Sequence, residues 1–171
     1  MAAGSALAGI AAAAPAIVAA KNRMIIEEEQ IMKSVTTYLN FNGNCRQAMT
    51  FYQQCMGADL QLSPFPDEQG KPSTDPKAGI MHARLSRGGA PILMASDTPP
   101  DESLKADNNR SFSVSVDCES LDELERYFKS LSQGGQVRLP LSDMFWGARF
   151  GMLTDQFGVQ WMLNYDLPQK P

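Results

Sequence analysis

The chain has 171 residues, a mass of 18.7 kDa and 43% hydrophobic residues. That suits one domain or two small repeats sharing a core, and it excludes a disordered or fibrous chain. Lys and Arg number 15 against 19 Asp and Glu, a net charge of −4. The longest basic cluster is Lys21 to Arg23, so nucleic acid is not an expected partner and a small molecule is.

Residues 1–31 differ in composition from the rest of the chain. Residues 1–20 carry no charge and are rich in Ala. A targeting peptide needs a positive segment before its apolar stretch, whereas Lys21 and Arg23 come after it. A membrane span needs about 20 strongly apolar residues; Ala and Gly are weakly apolar, and Pro15 interrupts the run. A loose Ala-rich extension is the expectation, and no membrane contact. Glu27-Glu28-Glu29 admit the codons GAGGAGGAG, a purine-rich ribosome-binding sequence shortly before Met32. Residues 1–31 are therefore either translated upstream sequence or a genuine acidic segment, and the domain proper is 32–171.

Residues 35–41 alternate and are rich in β-formers, which predicts a strand. Asn42-Gly43-Asn44 predicts a turn in which Asn44 caps a helix. Ala48, Phe51, Tyr52 and Cys55 then recur at helical spacing over 45–56, and Gly57 ends that helix. Residues 59–65 read as a strand and 64–76, rich in Pro, Gly, Asp and Ser, as a loop. Residues 80–86 and 92–96 flank Gly88-Gly89 as a hairpin. This first unit, 34–98, is β-α-β-β-β.

A linker, 99–109, precedes a recurrence of the same order over 110–166. Residues 111–116 predict a strand. Ser120 begins a helix, with Glu123 completing a capping box. Leu121, Leu124, Tyr127, Phe128 and Leu131 form its apolar stripe, and Gly134-Gly135 stop it. Residues 137–141 predict a strand. Residues 150–154 and 159–165 flank Asp155-Gln156-Phe157-Gly158, read as turn chemistry alone. The fold class is α+β, two tandem β-α-β-β-β modules.

Alternation separates two faces of each sheet. Val35, Thr37, Leu39 and Phe41 share the side assigned to the helix; Thr36, Tyr38 and Asn40 share the other. Phe112, Val114 and Val116 oppose Ser111, Ser113 and Ser115. Met81, Ala83 and Leu85 oppose His82 and Arg84. Val159, Trp161 and Leu163 oppose Gln160, Met162 and Asn164. Each module thus has an apolar face for its helix and a mixed face, which is either the wall of a ligand cavity or a solvated sheet surface. Cys45, Cys55 and Cys118 contain no CxxC. Ten helical residues, roughly 15 Å, separate the first two. Buried, reduced thiols in a cytoplasmic protein are the expectation.

Tyr38-Leu39-Asn40-Phe41-Asn42-Gly43-Asn44-Cys45, with Ala48 and Phe51-Tyr52, resembles the opening of PhnB-like proteins of the vicinal oxygen chelate superfamily. That superfamily includes glyoxalases, bleomycin-resistance proteins and extradiol dioxygenases. Ile80-Met81-His82-Ala83 and Met94-Ala95-Ser96-Asp97 resemble its next blocks. Phe145-Trp146-Gly147, Phe150-Gly151, Thr154-Asp155, Phe157-Gly158-Val159 and Trp161-Met162-Leu163-Asn164 resemble its closing signature. The resemblance covers Ser34 to Tyr165. It implies paired modules forming a U-shaped mixed sheet around a cavity, with helices on the outer face, and a homodimer.

In metal-dependent superfamily members, four strands each supply a His, Glu or Gln ligand. Carried over by register, these positions are Thr36, Met94, Ser111 and Met162, none a usual ligand for a divalent metal. No metal or other cofactor is expected. Sequences of this group often carry the label of a 3-demethylubiquinone methyltransferase, yet no Gly-rich loop opens a helix after a strand here.

The expected cavity residues are Thr36, Tyr38, His82, Arg84, Met94, Ser96, Ser111, Ser113, Phe145, Trp146, Met162 and Asn164. No catalytic residue is assigned. His82 is the one candidate, either a proton carrier or a structural His bonded across its hairpin. Phe145-Trp146 reads either as a ligand-stacking pair or as a plug closing the core. Two functions stand open. One is a metal-independent small-molecule binding protein. The other is a lyase or dioxygenase-like enzyme with non-standard ligands such as His82, Asp97 or Glu102.

Overall fold

The computed structural model describes residues 34–98 and 112–168; the Ala-rich extension, the linker 99–109, Glu102 and Ser111 lie outside them. The first module runs β1 (Tyr38–Phe41), α1 (Cys45–Met56), β2 (Asp59–Pro64), β3 (Ile80–Arg87) and β4 (Ala90–Asp97). The second runs β5 (Val114–Asp117), α2 (Leu121–Leu131), β6 (Gln136–Asp143), β7 (Ala148–Thr154) and β8 (Gln160–Asp166). The predicted order recurs. Each module builds a four-stranded mixed sheet, β1-β4-β3-β2 and β5-β8-β7-β6. In each sheet the first strand runs parallel to the last, and the other pairs are antiparallel.

Both helices begin and end as local chemistry dictates, with one exception. Gly57 takes a left-handed φ of 61° and donates its N–H to the Gln53 carbonyl at 2.8 Å, the conformation glycine adopts without a Cβ penalty. Ser120 Oγ accepts the Glu123 N–H at 3.2 Å, as the capping box requires. Asn44 makes no side-chain cap bond. The Cys45 N–H at that helix end is taken instead by Asp97 Oδ1 from β4, at 2.9 Å. A remote carboxylate thus replaces the expected local cap.

Three strand expectations need correction. β1 begins only at Tyr38, where the ladder to Met94 starts, and Val35 is exposed rather than helix-facing. Phe112 precedes β5 and is exposed. Met81 is exposed because the β2–β3 register slips beside it, pairing Ser63 with His82 but Pro64 with Ile80. A bulge of this kind moves a side chain off its face.

One core serves both modules. Helix α1 buries Cys45, Ala48, Met49, Tyr52, Cys55 and Met56, and α2 buries Leu124, Tyr127 and Leu131. The Tyr52 ring meets Trp161 of β8 edge-on at 5.3 Å. Phe41 and Phe51 both contact Phe157, from the β7–β8 turn. The Tyr127 hydroxyl of α2 lies 3.2 Å from the Met56 carbonyl at the end of α1, so the two helices meet there. Gly151 lets α2 approach its sheet, since a Cβ there would lie 2.7 Å from the Phe128 ring.

At the centre of this joint is Asp155, which is buried. Its Oδ1 accepts the N–H groups of Phe157 and Val159 at 2.9 and 3.0 Å, closing the turn. Its Oδ2 accepts the Tyr52 hydroxyl at 2.7 Å and Trp161 Nε1 at 2.8 Å. Asp155 therefore does more than turn chemistry; it ties α1 of the first module to β8 of the second. Burial, and the adjoining Asp155 carboxylate, hold the Tyr52 hydroxyl far above its usual range.

The three cysteines are buried and unpaired. Burial first, then Asp97, pushes Cys45 up to about 12; burial with Asp155 takes Cys55 to about 11, and burial with Glu123 and Asp117 takes Cys118 to about 11. At pH 8 a thiol reagent should find none of them in the folded chain and all three in urea; rapid labelling of any one without denaturant would contradict this packing. Asp155→Ala strands two buried ring donors and two half-buried turn N–H groups at once. It should lower unfolding stability in urea by about 3 kcal/mol, and a loss below about 1 kcal/mol would show that the joint does not depend on it.

Candidate functional site

The shared core fixes where ligand chemistry can lie. Both sheets turn their helix-side faces into it, so each polar face turns away from it. On the first sheet, burial alternates along β1, with Leu39 and Phe41 buried and Tyr38 and Asn40 exposed. Cross-strand pairing lines up Tyr38, Met94, Arg84 and Gln61 on one rung. On the adjoining positions Asn40 pairs with Ser96, and His82 with Ser63.

The expected residues of the first module therefore gather on one face. The Tyr38 hydroxyl and His82 Nδ1 are hydrogen-bonded at 3.2 Å, with ring centroids 5.8 Å apart. This bond spans β4 and ties two strands that are not neighbours. Ser96 Oγ donates to Asn40 Oδ1 at 3.4 Å. Arg84 Nη2 donates to the Gly89 carbonyl at 2.9 Å, so its side chain runs toward the β3–β4 turn. Thr36 is half-buried and precedes β1.

The second module presents a different surface. Met162 pairs with Ser115 on one side and Met152 on the other; Asn164 pairs with Asp117 and Phe150. The Asn164 amide donates to Asp166 at 3.1 Å. Ser113 is half-buried just before β5. Phe145 is 98% and Trp146 53% exposed, so the pair does not plug the core. The two rings meet edge-on at 4.9 Å, and Trp146 leans on Phe150 at 5.9 Å. An Arg149–Asp143 ion pair of 2.9 Å braces the strands beneath. The two modules' site residues thus form two separate surfaces of the chain.

A cleft of about 260 Å³ lies elsewhere, at the module joint, lined by Met56, Leu93, Val114, Trp161, Arg87 and Tyr127 among others. None of the residues expected from sequence lines it. Its polar wall is a network: Glu123 Oε1 accepts Arg87 at 2.8 Å and the Tyr127 hydroxyl at 2.7 Å, and Oε2 accepts the Glu119 N–H at 3.0 Å. The capping box signalled Glu123; nothing local signalled Arg87 as its partner.

The donor set does not suit a divalent metal. Among the carried-over positions Thr36 holds a hydroxyl, and Met94 and Met162 hold thioethers. Among the described residues no three His, Cys, Asp or Glu side chains gather in reach of one ion. Asp97, one of the alternative ligands, is buried, and its two oxygens accept the N–H groups of Cys45 and Ile80 at 2.9 and 2.7 Å.

A family model described as 3-demethylubiquinone-9 3-methyltransferase matches residues 33–164. The chain belongs to this family, the PhnB-like branch of the vicinal oxygen chelate superfamily. This PhnB-like chain is 30% identical to protein YjdN of Escherichia coli over 141 residues, 76% of this chain and 93% of YjdN. It is 41% identical to the crystal structure of protein PA1353 from Pseudomonas aeruginosa, with a TM-score of 0.67, covering 80% of this chain and all of that one. A PhnB protein from Bacillus cereus is 27% identical with a TM-score of 0.61, covering 78% of this chain and 99% of that one. Among the described residues no helix is long and apolar enough to cross a membrane.

Glu123 gives the PhnB-like joint a pH signature. Burial raises its pKa, but the Glu119 N–H, the Tyr127 hydroxyl and Arg87 outweigh that and lower it from 4.5 to about 2. A carboxyl depressed on folding stabilises fully above its unfolded pKa, and that contribution fades as pH falls toward the folded value. The contribution should therefore be complete above about pH 5, worth about 2 kcal/mol, and lost toward pH 2. In urea unfolding Glu123→Gln should flatten the loss of stability between those limits; an unchanged acid limb would remove Glu123 from this role.

Proposed function

We propose that this PhnB-like chain is a cytoplasmic, metal-independent protein that binds a small molecule on the polar faces of its sheets, as a homodimer. The observation that carries the reading is the Tyr38–His82 pair, set among Asn40, Ser63, Arg84 and Ser96 on regular strands that a packed core holds rigid. Polar groups on such a scaffold are oriented in advance of a ligand. The hydroxyl and thioethers at Thr36, Met94 and Met162 favour binding without Lewis-acid chemistry.

A ligand cavity needs a second wall. Each polar face turns away from the chain's own core, so that wall comes from a second copy. Ser111, Ser113, Phe145, Trp146, Met162 and Asn164 would then line it opposite the first module's residues. The exposed Tyr38, Ile92, Phe145 and Trp146 are apolar surface that such contact would cover. The family's description names a methyl transfer. The two strand-to-helix turns, Asn42–Asn44 and Cys118–Ser120, hold one glycine between them, not a Gly-rich phosphate cradle. Methyl transfer is therefore outside the proposal.

Three measurements test it on the full chain. Light scattering should return twice the 18.7 kDa chain mass; a monomer would remove the second wall. Elemental analysis after purification without chelators should find no stoichiometric metal. One tightly held Zn, Ni, Mn or Fe per chain, with lyase or oxygenase turnover lost in His82→Ala, would replace the binding protein by the enzyme. A thermal-shift screen of metabolites and antibiotics should give at least one saturable shift that Tyr38→Ala or His82→Ala weakens by about tenfold.

A further inference from the structure

We propose that the outer face of the first sheet receives an elongated small molecule ending in an oxyanion, a carboxylate or phosphate, with Arg84 as the group that binds that end. The inference rests on the reading of this face as a ligand site and names the ligand's chemistry.

Among the described residues Arg84 is a half-buried cation without a counter-ion. Arg87 and Arg126 both meet Glu123, and Arg149 meets Asp143; Arg46, on α1, is also half-buried and bonds the Ala78 carbonyl, but it is not on this sheet. Among the described residues Arg84 has no carboxylate within ion-pairing distance, although Asp59 lies on the same face of β2. Its Nε is enclosed and has no hydrogen-bond partner there, and its one bond, from Nη2, goes to the neutral Gly89 carbonyl. Guanidinium carries five donors in a planar fork. Only Nε is enclosed without a partner, which costs free energy, and an oxyanion on the fork would add charge-assisted bonds to donors that Gly89 leaves unused. Arg149 also has an enclosed, unpartnered Nε, but Asp143 already supplies its charge partner.

The rest of the face sets the shape. The Arg84 side chain runs along β3 toward the turn, while Tyr38 stands across β4 on the same rung and its partner His82 lies two residues further from the turn. Met94 stands between them, paired with Tyr38 on one side and Arg84 on the other. A ligand lying along this rung would place its oxyanion on Arg84, an apolar body over the adaptable Met94 thioether and a hydrogen-bonding or aromatic end at Tyr38 and His82.

The test uses three probes of one shape on the full chain: 4-phenylbutyrate, 3-phenylpropyl phosphate and neutral 4-phenylbutanol. Calorimetry gives affinity. The imidazole NMR signals of His82 give location, and they need no assignment because the chain has one His. At least one anion should bind about tenfold or more tightly than the alcohol, and whichever anion binds better identifies the oxyanion. Arg84→Gln should abolish that preference, Arg84→Lys should keep part of it, and Arg149→Gln should leave it intact. Unchanged thermal midpoints certify that the variants fold. If all three probes move His82 with equal affinity, or the preference survives Arg84→Gln, the oxyanion assignment falls and the face remains a ligand site. If no probe perturbs His82, both the assignment and the ligand face are overturned.

Discussion

A single buried carboxylate holds this structure in register. Asp155 satisfies four donors at once, two from its own turn and one each from Tyr52 and Trp161. The two ring donors belong to different modules and are themselves buried in one core. A buried carboxylate is tolerable only when its lone pairs are used, and here they are used by groups that must come from both halves. The hydrogen bonds thus make the docking of the modules specific, while the aromatic cluster of Phe41, Phe51, Tyr52, Phe157 and Trp161 supplies the apolar burial around it.

The same logic recurs at the other two buried carboxylates. Asp97 caps α1 from β4 and also takes the Ile80 N–H at the start of β3. Glu123 caps α2 locally and then reaches Arg87 from the first module. Asp155 and Glu123 each perform a local backbone task and a long-range one, while both backbone bonds of Asp97 reach distant parts of the first module. That economy consumes these three acids, leaving none of them exposed on the polar faces to act as base or ligand. The chemistry offered by the first face consequently comes from hydroxyl, amide, imidazole and guanidinium groups, with one carboxylate, Asp59, at the start of the edge strand β2.

This division explains what could be read in the sequence. Strand alternation, the Gly57 stop and the Ser120–Glu123 box are local properties, and both helices and the doubled β-α-β-β-β order follow from them. One oxygen of Asp155 was legible too, because turn chemistry is local. Its other oxygen was not, since nothing near position 155 announces Tyr52, more than a hundred residues earlier. Asn44 had the right residue type for a cap and lost the task to Asp97, a tertiary contact overriding a local preference. Met81 left its predicted face through a register slip that depends on the partner strand. At the site, parity along single strands placed Tyr38, His82 and Arg84 on one surface. The cross-strand bond between Tyr38 and His82, and the missing counter-ion of Arg84, emerge only in the folded chain.

The duplicated fold keeps its inner pattern but not its outer one. Apolar inward positions recur in both modules: Leu39 of β1 and Val114 of β5, Ala95 of β4 and Leu163 of β8, all buried. Outward positions have diverged. The first sheet offers Arg84, His82, Tyr38 and Asn40 beside Met94, whereas the second offers Met152, Met162 and Phe150 beside Ser115, Asn164 and Asp117. Packing constrains volume and polarity alone, so a core tolerates repetition. A binding surface is constrained by its partner's functional groups, and two equal surfaces would suit only a symmetric ligand. On the proposed binding role, this difference would let the faces meet different parts of one asymmetric molecule, with guanidinium and imidazole on the first sheet and the larger apolar share on the second.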